Sequence, residues 1–222
     1  MTYTELVAAI ESYTQNYEAD FVANIPTFVK QTETRVYNSV QIPALRKNVT
    51  GITSTGNKYL SCPNDFLSSF SLAVVDGTGS YEYLLNKDVN FMRAAYPSTS
   101  DTGLPKYYSL FGPTVVAGAP TDELSFILAP TPDAPYTVEL HYFYYPESIV
   151  DAGTSWLGDN YSPVLLYGSL YEAYVFMKGE VDVLQMYQQK YNDALAQLNR
   201  LGTGLERGDA YRDGQAKIKV NP

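Results

Sequence analysis

The hydrophobic period of this chain changes twice, and that double change restricts its possible folds more than any single motif. Near the N-terminus, Leu6, Val7, Ile10 and Tyr13 recur at helical spacing within residues 3–15. A second stripe passes through Ile25, Phe28, Val29, Thr32, Val36 and Val40, with Lys30, Gln31, Glu33 and Asn38 off it. Asn24 is placed to cap this helix with Pro26 in its first turn, and the helix should end before Pro43. From Leu45 to about Tyr145 the period becomes two. Hairpins are predicted over 52–61, around Thr55-Gly56-Asn57, and over 70–85, turning at Asp76-Gly77-Thr78-Gly79. A short helix over 86–95 has Asn86 as its cap, and 124–128 reads as a short strand. Residues 137–145 give the clearest strand: Val138, Leu140, Tyr142 and Tyr144 share one face, Glu139, His141, Phe143 and Tyr145 the other.

The helical period then returns. Ser162-Pro163 starts a helix bearing Leu166, Leu170, Ala173, Phe176 and Met177, which Gly179 ends. A fourth helix over 181–201 follows so closely that the two must form an antiparallel hairpin. Gly202 and Gly204 are its expected stop. Residues 203–222 have only Leu205, Tyr211, Ile218 and Val220 as large apolar side chains, too few for a core, so this tail is either frayed or ordered by a partner. The tail carries four basic against three acidic side chains (+1), whereas residues 1–202 carry 11 against 21 (-10).

Composition removes several functions. One cysteine excludes an internal disulfide or a multi-cysteine metal site, and one histidine excludes sites that need two. A net charge of -9 argues against a DNA reader that works by neutralising phosphates. The first residues lack a basic-then-apolar signal pattern, and no apolar run is long enough to span a membrane, so the expectation is a non-secreted chain with no membrane partner. Phosphate-loop, dinucleotide-binding, zinc-protease and nucleophile-elbow motifs are absent, and no cofactor, metal or catalytic residue is assigned. His141 reads as a packing or interface residue, and Cys62 as a small buried hydrophobe.

Tyrosine is the informative residue. There are 21, while charged residues make up only 18% of the chain against roughly 25% in ordinary soluble domains. Half-buried core tyrosines with wet hydroxyls are one explanation. Subunit or tail contact is the other, because interface cores gain aromatics and lose charge. On the second reading the contact residues are Tyr107, Tyr108, Tyr142, Tyr144, Tyr145, Tyr167, Tyr171 and Tyr174.

Four segments, in order, carry a family resemblance. They are Thr4 to Ile10 with Ile25 to Val36; Leu60-Ser61-Cys62-Pro63-Asn64-Asp65-Phe66-Leu67; Leu166 to Gly179 with Met186 to Leu195; and a polar tail with Arg207 and Tyr211-Arg212. In this order they resemble the head-to-tail adaptor, or neck, proteins of short-tailed bacteriophages. The resemblance implies a structural virion protein of α+β class: an antiparallel bundle of about four helices, a long β-rich insertion between helices 2 and 3, and an extended C-terminal arm. Its expected parts are residues 1–44 and 161–202 for the bundle, 45–160 for the insertion and 203–222 for the arm. It further implies a homo-oligomeric ring, expected as a dodecamer, assembled in the host cytoplasm and placed at the head–tail junction. The portal lies above, a tail nozzle or hub protein below, and DNA passes through the lumen without sequence readout. Leu205, Arg207, Tyr211, Arg212, Lys217, Ile218 and Lys219 are the implied portal-binding residues. Two other readings stand beside it: a tyrosine-rich glycan-binding virion or surface module, and a hydrolase working with paired carboxylates.

Overall fold

A computed structural model describes residues 1–112, 115–116, 119–120 and 124–207. In chain order its elements are α1 (Tyr3–Thr14), α2 (Ala19–Ser39), a 3₁₀ turn (Pro43–Leu45), β1 (Arg46–Ile52), β2 (Tyr59–Ser61), β3 (Phe66–Val75), β4 (Tyr81–Tyr83), β5 (Leu85–Asn86), α3 (Val89–Ala95), β6 (Tyr107–Phe111), β7 (Val115–Val116) and β8 (Ala119–Pro120). Then follow β9 (Ser125–Ala129), β10 (Thr137–Tyr144), α4 (Ile149–Ala152), α5 (Trp156–Asn160), α6 (Ser162–Phe176) and α7 (Val181–Arg207). They divide into two compact units: Met1–Leu45 with the chain from Pro146 onward, and Arg46–Tyr145.

In the helical unit α6 is the hub, with α1, α2, α5 and α7 all packed on it. A helix covered on every side must be apolar on every side, and Val164, Leu165, Leu170 and Ala173 are all buried. Gly168 sits where a Cβ would run into the Thr32 side chain of α2 and the Tyr191 ring of α7. Its missing side chain sets how closely three helices approach. α1 starts with a capping box, Thr2 and Glu5 each bonding the other's backbone N–H. Inside this unit Glu33 is buried and accepts two bonds at the start of α4: the Ile149 N–H at 2.9 Å and the Ser148 hydroxyl. Burial pushes its carboxyl above the ordinary value, although both donors oppose that rise.

In the second unit two four-stranded sheets, ordered β1-β10-β3-β4 and β2-β9-β6-β5, close on a single core; β7 and β8 pair with each other. Val138, Leu140 and Tyr142 of β10, with Leu72 and Val74 of β3, meet Tyr108, Phe126 and Leu128 of the second sheet. The expected inward face of β10 thus holds, with Tyr144 half-buried against the same core, while Phe143 is also buried, on the far side, under Phe70 and the Arg46 guanidinium.

Several expectations are corrected. A bundle of about four helices carrying a β-rich insertion is not what forms. Seven α-helices are present among the described residues, one of them within the strand-rich unit. The strands are no appendage, because their inward faces fill a core of their own. The hairpin expected over 52–61 does not form: β1 pairs with β10, β2 pairs with β9, and the intervening residues cross from one sheet to the other. The 73–83 hairpin does form, with Asp76 accepting the backbone N–H groups of Thr78 and Ser80 across the turn. The short helix takes Asp88 rather than Asn86 as its cap. α2 begins at Ala19 instead of after Asn24, so Pro26 lies within it. α7 continues through Gly202 and Gly204 to Arg207. Gly202 is a packing glycine, since a Cβ there would collide with the Ile42 side chain.

Two substitutions test this account. Gly168→Ala should destabilise the protein by about 1–3 kcal/mol despite alanine's better helix propensity, because the buried Thr32 has no room to give way; thermal unfolding checks it. Glu33→Ala strands the buried Ile149 N–H, so chemical denaturation should show a loss of about 1–3 kcal/mol.

Candidate interaction surfaces

The segment Leu60 to Leu67, part of the resemblance, has a defined job in the strand-rich unit. Asp65 receives the Tyr142 hydroxyl at 2.8 Å and the Lys47 ammonium at 2.7 Å. Its backbone carbonyl accepts the Tyr145 N–H at 2.9 Å. One aspartate thereby ties together β1, the start of β3 and the end of β10. Burial pushes the Asp65 carboxyl up, but the Lys47 and Tyr142 bonds outweigh it and hold the group below its ordinary 3.8. Burial, and then the bond to Asp65, pushes the Tyr142 hydroxyl up to about 12. Next to it Phe66 packs edge-on against Phe126 at 5.5 Å. Cys62 is buried in the same core, and burial pushes its thiol to about 12, far from a reactive thiolate.

The structure spreads the predicted contact tyrosines apart. Tyr108 and Tyr142 are inside the sandwich, their hydroxyls bonded to Ser69 and Asp65. Tyr107, on the opposite face of β6, packs against Phe91 and Tyr96. Tyr144 is half-buried under the Lys47 ammonium, 4.0 Å from its ring centre, and Tyr145 is exposed. The single aromatic groove that a glycan-binding module would need from residues 107–108 and 142–145 is therefore not formed by these side chains. In the helical unit Tyr167, Tyr171 and Tyr174 are half-buried along α6. Lys190 lies over Tyr167, Arg35 over both Tyr171 and Tyr191, and Tyr174 packs on Tyr187 with ring centres 5.0 Å apart. Arg35 also pairs with Glu172, so a cation of α2 is held by two rings and a carboxylate. Of the arm residues, Leu205 and Arg207 fall in the last turns of α7, while Tyr211, Arg212, Lys217, Ile218 and Lys219 lie outside the described residues.

Exposed apolar surface appears where the period-two reading did not place it. Ile52, Phe70, Tyr81 and Tyr83 of the first sheet are 68%, 56%, 56% and 65% exposed. Tyr81 and Tyr83 share one register of β4, whereas Phe70 has the parity of the buried Leu72 and Val74 and is exposed at the register shift where Ser71 pairs with His141 and Ser69 with Tyr142, which alternation alone does not signal. The same sheet holds a Ser–His–acid row. Ser71 Oγ is 3.2 Å from His141 Nδ1, and His141 Nε2 is 3.7 Å from Glu139. The second distance exceeds a hydrogen bond, and Glu139 instead accepts the Asn48 amide at 2.5 Å. This row braces β3, β10 and β1 across the sheet and does not activate a hydroxyl. Among the described residues no cluster of three metal-ligating side chains occurs, and no helix is long and apolar enough to cross a membrane.

Exposed aromatic side chains such as Phe70, Tyr81 and Tyr83 are of the kind enriched in the cores of protein interfaces. Residues 1–216 match the SU10 adaptor protein family, and the chain belongs to that family. It is a family of phage adaptor proteins, which makes the protein a structural component of the virion that contacts head or tail components. Comparison with curated proteins gives no match.

The Asp65 tie yields a pH test. A carboxyl held low in the folded state stabilises fully above its unfolded value near 3.8 and loses that contribution as pH falls through the folded value. Asp65→Asn should therefore lower stability at pH 7 and flatten the acid limb below about pH 4. Urea midpoints measured from pH 2 to 7 for both proteins check this.

Proposed function

We propose that this protein is a ring-forming adaptor at the head–tail junction, joining the portal above to a tail nozzle or hub protein below and forming part of the channel through which DNA leaves. The observation that carries the reading is the family match across residues 1–216. The ring is a homo-oligomer, proposed as a dodecamer, and its role is structural rather than enzymatic. Assembly takes place in the host cytoplasm.

Physical features support each part. A ring is built from heterologous contacts, which place two different patches of each subunit against neighbours. Half-buried Tyr107, Tyr144, Tyr167, Tyr171 and Tyr174, with exposed Tyr145, are the contact tyrosines retained in this proposal; Tyr108 and Tyr142 are committed to the core. The charge of -10 on residues 1–202 suits a channel wall that repels phosphate and does not grip it. The tail, with Arg207, Arg212, Lys217 and Lys219, is the arm that reaches the portal, its ordering cost met at docking.

Deleting residues 208–222 should leave the folded body intact and abolish binding to tail-less heads that display the portal. Co-sedimentation with such particles measures it, and undiminished binding would remove the arm from the proposal.

A further inference from the structure

On the outer side of the second sheet, α3 leaves an open groove of about 500 Å³ beside β9. Its apolar wall is made by Val89 and Met92 of α3 with Ile127 and Ala129 of β9. Its charged lining residues are Lys58, Arg93 and Asp101, and the Asp101 carboxylate already accepts the Ser98 N–H at 3.1 Å. Lys58 lies over the Tyr59 ring, and Arg93 makes no hydrogen bond or ion pair with any described residue. In a chain of net charge -9, a partly apolar groove whose charged lining is two cations to one already bonded acid favours an apolar segment that carries acid.

The chain itself has such a segment. Residues 113–123 read Pro-Thr-Val-Val-Ala-Gly-Ala-Pro-Thr-Asp-Glu: apolar and small through Val115, Val116, Ala117 and Ala119, then Asp122 and Glu123. It contains β7 and β8, which pair with each other and belong to neither four-stranded sheet. The chain leaves the second sheet for this hairpin at the Phe111–Ser125 end, whereas the groove lies at the other end, where Tyr107 pairs with Ala129. Four residues of strand separate the two ends, about 14 Å. The segment and the groove are complementary in charge and character, and the chain departs for the segment at the end of the sheet away from the groove. Such a pair suits a head-to-tail contact between copies.

We propose that the groove between α3 and β9 receives the 113–123 hairpin of a second copy of this chain, with Asp122 and Glu123 facing Lys58 and Arg93. This rests on the ring reading and names one of its two complementary patches.

Charge swapping in the full chain tests it. Lys58→Glu with Arg93→Glu, or Asp122→Lys with Glu123→Lys, sets like charges against each other at the contact. Either pair should raise the concentration needed for self-assembly on the order of a hundredfold, and the four changes combined should restore it. Native mass spectrometry across a concentration series reads the state, and circular dichroism confirms that each variant is folded. A second readout uses mixed isotope-labelled and unlabelled wild-type copies joined by a zero-length carbodiimide. It should give a Lys58 link to Asp122 or Glu123 between differently labelled chains. Assembly at wild-type concentration by either reversed pair, or links found only within one chain, would overturn the groove assignment and leave the ring intact. A wild-type chain that stays monomeric both alone and with portal-bearing heads would overturn the ring reading and the groove together.

Discussion

The antiparallel pairing of β1 with β10 is the constraint on which the rest of the architecture depends. Arg46, the first residue of the strand-rich unit, pairs with Phe143, near its last. About a hundred residues of chain thus begin and end side by side. The unit can close on its own core, and the helical unit is left to be assembled from two distant halves of the sequence. β10 is central in another sense, since it also pairs along most of its length with β3. The strand therefore carries backbone bonds on both edges while Val138, Leu140 and Tyr142 face the core. Asp65 secures the same neighbourhood by joining Lys47 of β1 to Tyr142 of β10.

What the sequence made legible was local. Helix stripes with clear 3.6-residue repeats, such as Phe28, Val29, Thr32 and Val36, were readable because one face of each helix is buried. The Asp76-Gly77-Thr78-Gly79 turn was readable because its side-chain bonds lie within a few residues. Strand partnership was not, since it depends on contacts dozens of residues away: Thr55-Gly56-Asn57 has hairpin composition but serves as a crossing between sheets. Gly202 and Gly204 misled for a related reason. Glycine signals a helix end only when its backbone freedom is being used, and at Gly202 what matters is the space beside Ile42. Among the site residues, tyrosine abundance could not separate Tyr108 and Tyr142, which build the core, from Tyr145, which is exposed.

The titratable groups that sequence reading singles out as chemistry are taken up by architecture. Glu33 binds the start of α4, His141 and Glu139 brace a sheet, and the Cys62 thiol is buried. Each is bonded within its own unit or removed from water, which suits a protein that must hold its shape while neighbours pull on it. The surface includes exposed apolar and aromatic side chains, and cations such as Lys47, Lys190 and Arg35 are laid over rings. Cation–ring contacts of this kind keep charge at the surface without giving up the flat, weakly hydrated area from which protein interfaces are built.

The proposed ring adds a further requirement: its copies must agree on one direction around the axis before either partner arrives. Symmetric, isologous patches cannot supply that direction, because they make pairs and stop. A subunit whose chain departs one end of a sheet for an acid-bearing apolar segment, and has a groove lined by Lys58 and Arg93 at the other, has the polarity that the proposed ring needs. The same division by charge recurs along the chain. The acidic body and the basic tail make contacts of opposite electrostatic character, so the tail is disfavoured at the hairpin's groove, where Lys58 and Arg93 would repel it. In the proposed ring, the distribution of charge would keep self-assembly and partner docking on separate surfaces.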